Sequence, residues 1–366
     1  MLRSAQHDIR HNVPFALLRF FSQRIQCGSY IMTLRPKRVF SGIQPSGMLH
    51  IGNYLGAVQQ WVQGQGTKVN FICIVDLHAI TVPQAPAALH RQTRELAALL
   101  IAAGIDPQQT TLFVQSHVRA HAEGCWLLNC ITPLGWLERM TQYKFKAQKQ
   151  ESVLTGLLDY PVLQAADILL YDSDEVPVGE DQKQHVELTR DIAGRFNSIY
   201  GETFVLPQPV IRESGARIMA LNDPHAKMSK SDFTRGHAIR VNDSPDEIRW
   251  VVKRAVTDPG RDITFSADPA RAGVNNLLQI YELFTGQRRA AIETHFAGKG
   301  YGALKTDVAE AVSEGLRPIR ERYEQLITDP AELDRILAVG ATQARAVAEP
   351  KIREMMAKVG FVLPTL

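Results

Sequence analysis

Three short apolar runs, spaced so that helices fit between them, constrain the fold more than any other feature of the chain. Val39-Phe40-Ser41, Phe71-Ile72-Cys73-Ile74-Val75 and Thr111-Leu112-Phe113-Val114 each read as a buried strand. Between the last two, Leu96, Leu99, Leu100 and Ala103 share one face of a 3.6-residue repeat, and Gly104 follows where a helix C-terminus belongs. Strand, helix, strand in that order calls for parallel pairing, hence an α/β domain with a doubly wound parallel sheet. Val176-Pro177-Val178, Phe204-Val205-Leu206 and Arg217-Ile218-Met219 are further strand candidates.

After about Ser231 the strand signals thin out. The spacing predicts helices over Asp246 to Val256, Asn275 to Thr285, Thr306 to Ile327 and Pro330 to Val359. Ser244-Pro245-Asp246-Glu247 is a helix start, with serine as cap and proline in the first turn. The expected organisation is an α/β domain over 35–231, carrying a helical insertion, followed by an all-helical domain over 232–366. A chain of 366 residues suits two cores better than one. Its 45% hydrophobic and 22% charged residues suit a soluble globular protein.

A formal charge of +3 leaves any contact with a polyanion to local basic patches. Cys27, Cys73, Cys125 and Cys130 form no C-x-x-C pair, so no bound metal is expected and a reduced, cytoplasmic chain is the default. No apolar run approaches the ~20 residues of a membrane span, so no membrane contact is expected. Residues 1–34 stand apart, with Arg3, Arg10, Arg19 and Arg24 against the single acid Asp8. They read either as a transit peptide for organellar import or as the product of an upstream start codon, with Met32 as the true start.

Two constellations carry chemistry. Ser41-Gly42-Ile43-Gln44-Pro45-Ser46-Gly47-Met48-Leu49-His50-Ile51-Gly52-Asn53 lies between a strand and the amphipathic run Tyr54 to Trp61. Its glycines allow a sharp turn or a close approach of backbone to ligand, and a helix opening near Gly52 presents free N–H groups beside His50 and Asn53. Such a mouth suits a phosphate chain and the charge that builds when an α-phosphate is attacked. It also fits a glycine-rich loop with a capping asparagine. The second is Lys227-Met228-Ser229-Lys230-Ser231, where two lysines three residues apart can close over a leaving pyrophosphate; taken alone, a lysine pair is usually a solvated face.

The pair of motifs resembles the two signatures of class I aminoacyl-tRNA synthetases, standing here as His50-Ile51-Gly52-Asn53 and Lys227 to Ser231. Within that class the chain is similar, from about Phe40 to its C-terminus, to the bacterial and organellar tryptophanyl-tRNA synthetases, which share Gly-Ile-Gln-Pro-Ser-Gly (42–47) and Gly-Glu-Asp-Gln-Lys-Gln-His (179–185). The resemblance implies a Rossmann-like catalytic domain, a helical domain that binds the tRNA anticodon, and a homodimer. It implies ATP and Mg2+ as a substrate complex, with L-tryptophan and tRNA(Trp) as the other partners and no DNA. By the same resemblance His50, Asn53, Lys146, Lys227 and Lys230 are catalytic. Gln44, Pro45, Ser46, Gly52, Asn53, Gly179, Glu180, Asp181, Ile218 and Lys227, Met228, Ser229, Lys230 and Ser231 contact ATP. Asp167 accepts the indole N–H, and Tyr160, Gln164, Gln182 and His78 line the tryptophan site.

A carboxylate in the apolar stretch Ala165-Ala166-Asp167-Ile168-Leu169-Leu170 is costly to desolvate without a donor, which agrees with a substrate N–H; the alternative is an aspartate capping or salt-bridging within the protein. His78 can likewise be an ordinary core histidine. The chain departs from its relatives at Leu77, at Pro133-Leu134-Gly135-Trp136 and at Gln164. Gln164 keeps open a tyrosine-specific ligase, since an aspartate accepts from a phenol as readily as from an indole. A nucleotidylyltransferase and a catalytically silent relative are the remaining readings.

Overall fold

The computed structural model describes residues 35–148, 152–211, 218–230, 232 and 234–364. The expectations for residues 1–34 and the ATP contact at Ser231 lie outside the described residues. Lys37–Leu366 is one compact unit.

Five strands form one sheet: β1 Arg38–Ile43, β2 Val69–Ile74, β3 Thr110–Val114, β4 Glu175–Val178 and β5 Gln208–Ile211. Their order is β3-β2-β1-β4-β5, and every pair is parallel. Phe40 pairs with Phe71 and Phe71 with Thr111, so the three runs read from the sequence are three adjacent strands, running from the centre of the sheet to its β3 edge. Successive strand side chains face opposite sides. Ile72, Ile74, Leu112 and Val114 therefore enter one core, and Phe71, Cys73 and Phe113 the other. Helices cover both faces, which is why Phe71–Ile74 and Leu112–Val114 are continuously apolar instead of alternating.

The first core takes Leu96, Leu99 and Leu100 from the helix Pro86–Ala102, ended by Gly104 at φ 110° as the sequence indicated, together with the helices Pro245–Arg254, Ala272–Thr285 and Tyr301–Ile327. The second takes the helices Ala120–Asn129, Thr155–Leu169 and Lys183–Tyr200. The last helix, Pro330–Val359, returns to β3, where a Cβ at Gly340 would overlap the Leu112 carbonyl oxygen. The helices expected after residue 240 are present, with Ser244 accepting the Glu247 N–H as cap and an additional short helix at Arg289–Phe296.

Two strand expectations need correction. Phe204–Leu206 is not a strand: the Asn197 side chain holds the N–H groups of Thr203 and Phe204 and the Phe204 carbonyl, all within 3.0 Å, so the segment's start is tied to the preceding helix and not to the sheet. The edge strand begins at Gln208 instead, where Pro209 is tolerated because one side lacks a neighbour. Ile218–Met219 lies in an antiparallel hairpin arm: Met219 bridges Lys227, and the Ala220 N–H donates to the Ala226 carbonyl at 2.9 Å.

Candidate active site

Between the parallel strands β1 and β4 the order in which strands are added across the sheet reverses, and a crevice at the carboxyl ends of those strands is where α/β sheets bind ligands. Ile43 runs straight into the Gln44–Gly52 loop, and Val178 into Gly179 and the short helix Glu180–Gln182. Both elements that resemble nucleotide-contacting segments thus arise at the switch point.

His50 caps the helix that begins at Ile51, its Nδ1 accepting the Asn53 N–H at 3.3 Å. The helix passes through a wider turn at Tyr54–Val58 and continues over Gln59–Gln63. Asn53 Oδ1 is buried without a hydrogen-bond partner among the described residues, an acceptor that a ligand hydroxyl or N–H can use. Gly47 has φ 76°, and a Cβ there would overlap the carbonyl oxygen of Lys230. The first glycine loop and the lysine loop therefore lie backbone against backbone, 183 residues apart in sequence. Lys230 Nζ reaches the Gln44 carbonyl at 3.4 Å, and Ser46 Oγ donates to Gln44 Oε1 at 3.1 Å.

Electrostatics at this mouth favour an incoming polyanion. Burial, then the positive charges of Lys230 and Lys227, push the His50 imidazole down to about 3, so it is neutral at pH 7. Burial pushes the Lys230 ammonium down to about 7, and that of Lys146 also downward against the pull of Asp181. Burial disfavours the charged form of each lysine, and a phosphate chain beside them would favour it again.

The second half of the site is on the helix Thr155–Leu169, where Tyr160, Gln164 and Asp167 follow at helical spacing along one side. Asp167 is 1% exposed. Its Oδ1 accepts from Gln115 Nε2 at 2.6 Å and lies 2.6 Å from His121 Nδ1, while Oδ2 lies 2.7 Å from His78 Nε2. His121 Nε2 is in turn 2.9 Å from the Tyr171 hydroxyl, and Phe40, Phe71 and Phe113 pack their rings around Tyr171. Burial would raise the Asp167 carboxyl, but the charge of His78 and the hydrogen bonds of both histidines outweigh it and hold the group well below the usual carboxylate range. A carboxylate oxygen can accept two hydrogen bonds, so Oδ1 is fully engaged and Oδ2 retains one lone pair. The Tyr160 ring lies edge-on to His78 with centroids 6.2 Å apart, Lys146 sits 4.9 Å over Tyr160, and the Tyr160 hydroxyl meets His185 Nε2 at 2.9 Å. Gln182 Nε2 donates to Asp181 Oδ2 at 3.0 Å.

The structure thus joins His78, Tyr160, Asp167 and Lys146 into one cluster, and His50, Gln44, Ser46 and Lys230 into another. Asp167 has protein partners on both oxygens, and among the described residues Oδ2 has a single one, so the two sequence readings of it are not exclusive. Sequence reasoning missed Gln115, His121 and His237. Gln115 directly follows β3, and a polar residue just past a strand's carboxyl end is a readable signal; His121 and His237 had none.

This geometry has its counterpart in known proteins. The family model of class I tRNA synthetases (W and Y) matches residues 32–317, and the chain belongs to that family. Within it, the similarity is to the tryptophan-specific members. The tryptophan–tRNA ligase of Wolinella succinogenes is 52% identical over 327 residues, covering 89% of this chain and 99% of the relative. That of Thermosynechococcus vestitus is 53% identical over 331 residues, covering 89% and 100%. Among solved structures, tryptophanyl-tRNA synthetase from Mycoplasma pneumoniae superposes with a TM-score of 0.81 at 36% identity, covering 90% of this chain and 99% of that one. The enzyme from Campylobacter jejuni, complexed with ADP and tryptophan, gives 0.79 at 37% identity, covering 88% and 100%.

Proposed function

We propose that the chain activates L-tryptophan with Mg-ATP and esterifies it to tRNA(Trp). The observation that carries this reading is the pairing of a buried, ionised Asp167, whose Oδ2 has a single partner among the described residues, with two signature loops packed together at Gly47 and Lys230. The open lone pair on Asp167 Oδ2 takes the indole N–H, while Tyr160, Gln164, Gln182 and His78 surround the rest of the amino acid. A tryptophan carboxylate oxygen attacks the α-phosphorus, the bond from that phosphorus to the β-bridging oxygen breaks, and pyrophosphate leaves. Lys146, Lys227 and Lys230 stabilise charge on the phosphates. Neutral His50 and Asn53 offer hydrogen bonds at the helix mouth, with Gln44, Pro45, Ser46, Gly52 and Gly179, Glu180 and Asp181 holding the nucleotide. Mg2+ enters as part of the ATP complex. A hydroxyl of the terminal adenosine of the tRNA then attacks the acyl carbon and AMP departs. No protein nucleophile is used, because positioning and charge stabilisation carry adenylyl transfer.

In this reading residues 35–231 catalyse and 232–366 contact the anticodon. The homodimer is supported by Trp126 and Leu134, exposed at 68% and 58% on the segment Cys125 to Met140, whereas Leu137 of the same segment belongs to the core. A tyrosine-specific ligase is disfavoured by the tryptophan-specific relatives. Pyrophosphate exchange decides the matter: incorporation of labelled pyrophosphate into ATP is expected with tryptophan and not with tyrosine, and the reverse preference would refute the reading.

A further inference from the structure

One short stretch of chain holds both signature loops. The Ile51 N–H donates to the Ile239 carbonyl at 2.9 Å and the Val241 N–H to the Leu49 carbonyl at 3.0 Å, so residues 239–241 run antiparallel beside the first signature, with His50 opposite Arg240. Two residues earlier stands His237, 4% exposed. The Ser229 N–H, between the two lysines of the second signature, donates to His237 Nε2 at 2.9 Å. His237 Nδ1 lies 3.2 Å from Asn222 Oδ1 and 3.2 Å from Asp232 Oδ2. These contacts select one tautomer: Nε2 accepts, and the ring proton sits on Nδ1 facing two acceptors. The backbone of His237 is tied as well, its N–H to the Thr234 carbonyl and its carbonyl to the Leu221 N–H, both at 3.0 Å. The hairpin leading into the lysine loop is clamped from the far side by Asn276, whose Oδ1 and Nδ2 bond the Met219 N–H and carbonyl, each at 3.0 Å.

We propose that His237 is a positioning residue for amino-acid activation: its Nδ1-protonated ring fixes the Ser229 amide, and with it the placement of Lys227 and Lys230 relative to His50 and Gly47. The role rests on the reading of those lysines as the phosphate clamp. Stabilising charge that appears only in the transition state depends steeply on donor placement, so a loop freed at Ser229 loses rate more than ground-state binding.

Three variants of the full chain separate this from a general structural role. His237→Gln carries an amide long enough to accept where Nε2 stands, His237→Asn reaches only the place of Nδ1, and His237→Leu reaches neither. In tryptophan-dependent pyrophosphate exchange, the Asn and Leu variants are expected to lose about tenfold in kcat, the size of one hydrogen bond withdrawn, with Gln within about threefold of the parent. Tryptophan affinity, read by fluorescence quenching, is expected to stay the same in all of them. Hydrogen exchange at the Ser229 amide is expected to quicken in the Asn and Leu variants and to remain slow with Gln. Equal kcat in all four proteins, a Gln variant as impaired as Leu, or rate, tryptophan affinity and melting temperature falling in parallel would each overturn the proposal. Should the parent protein show no exchange with tryptophan, the functional reading fails separately, and the Ser229 amide still decides whether His237 holds the loop.

Discussion

Replacing Asp167 by asparagine tests the amino-acid site at its most constrained atom. Oδ1 accepts from two donors, so the variant's amide oxygen belongs there and its NH2 takes the place of Oδ2. His78 can accommodate that exchange by changing tautomer. The indole N–H cannot, because it then meets another donor. The loss is one hydrogen bond to a charged acceptor, about 1.5–3 kcal/mol, or about 10- to 150-fold in kcat/KM for tryptophan. Phenylalanine brings no N–H and should be used as poorly as before, so discrimination against it shrinks by the same factor, while the KM for ATP holds. Pyrophosphate exchange with tryptophan, phenylalanine and tyrosine measures all of this. Unchanged selectivity together with weakened ATP binding would refute the assignment of Asp167 to the indole. Stability supplies an internal control. The folded carboxyl is held below its unfolded value near ~3.9, so its contribution is present above that pH and lost as pH falls through the folded value. The Asn variant should therefore be less stable at neutral pH and less sensitive to acid.

His50, neutral in the fold down to about 3, takes up a proton near 6.5 once unfolded, so the unfolded state binds more protons between those values and stability rises with pH there. Stability is expected to fall by up to about 1.4 kcal/mol per pH unit below the unfolded value, and His50→Gln to flatten that slope in urea titrations; parallel curves would count against it. Lys230, pushed down to about 7, loses its charge through the neutral range, so the KM for ATP is expected to rise with pH from about 6 to about 8.5 and to stay level in Lys230→Arg. A rise that persists in the Arg variant would show that another group is titrating. Gly47→Ala places a side chain at positive φ against the Lys230 carbonyl, and should cost at least about tenfold in activation with the fold retained; full activity would mean that the two loops need not touch.

Local pattern made the chain's architecture readable before any coordinates. Apolar runs placed β1 to β4, a 3.6-residue stripe with Gly104 behind it gave the helix Pro86–Ala102, and Ser244 marked its helix start, because strand period, helix period and caps are properties of neighbouring residues. The signature segments were legible for the same reason, each being an unbroken stretch of chain. Phe204 to Leu206 misled because strand propensity does not reveal that Asn197 claims the backbone. What folding alone decided is which distant residues meet. Asp167 receives Gln115, His121 and His78 from sequence separations of 52, 46 and 89. Gly47 needs its missing side chain because Lys230 arrives against it, and His237 acquires a role because its ring reaches Ser229 while residues 239–241 line the first signature. The edge strand Gln208–Ile211 and the helices Ala120–Asn129, Thr155–Leu169 and Lys183–Tyr200 emerged only in the fold. The sequence by itself determined β1 to β4, the helix between β2 and β3, the long C-terminal helices and the chemical inventory of the site. Tertiary structure decided its protonation states and contacts, since burial and hydrogen-bond partners come from groups brought together across the sheet and carry no local signal in the chain.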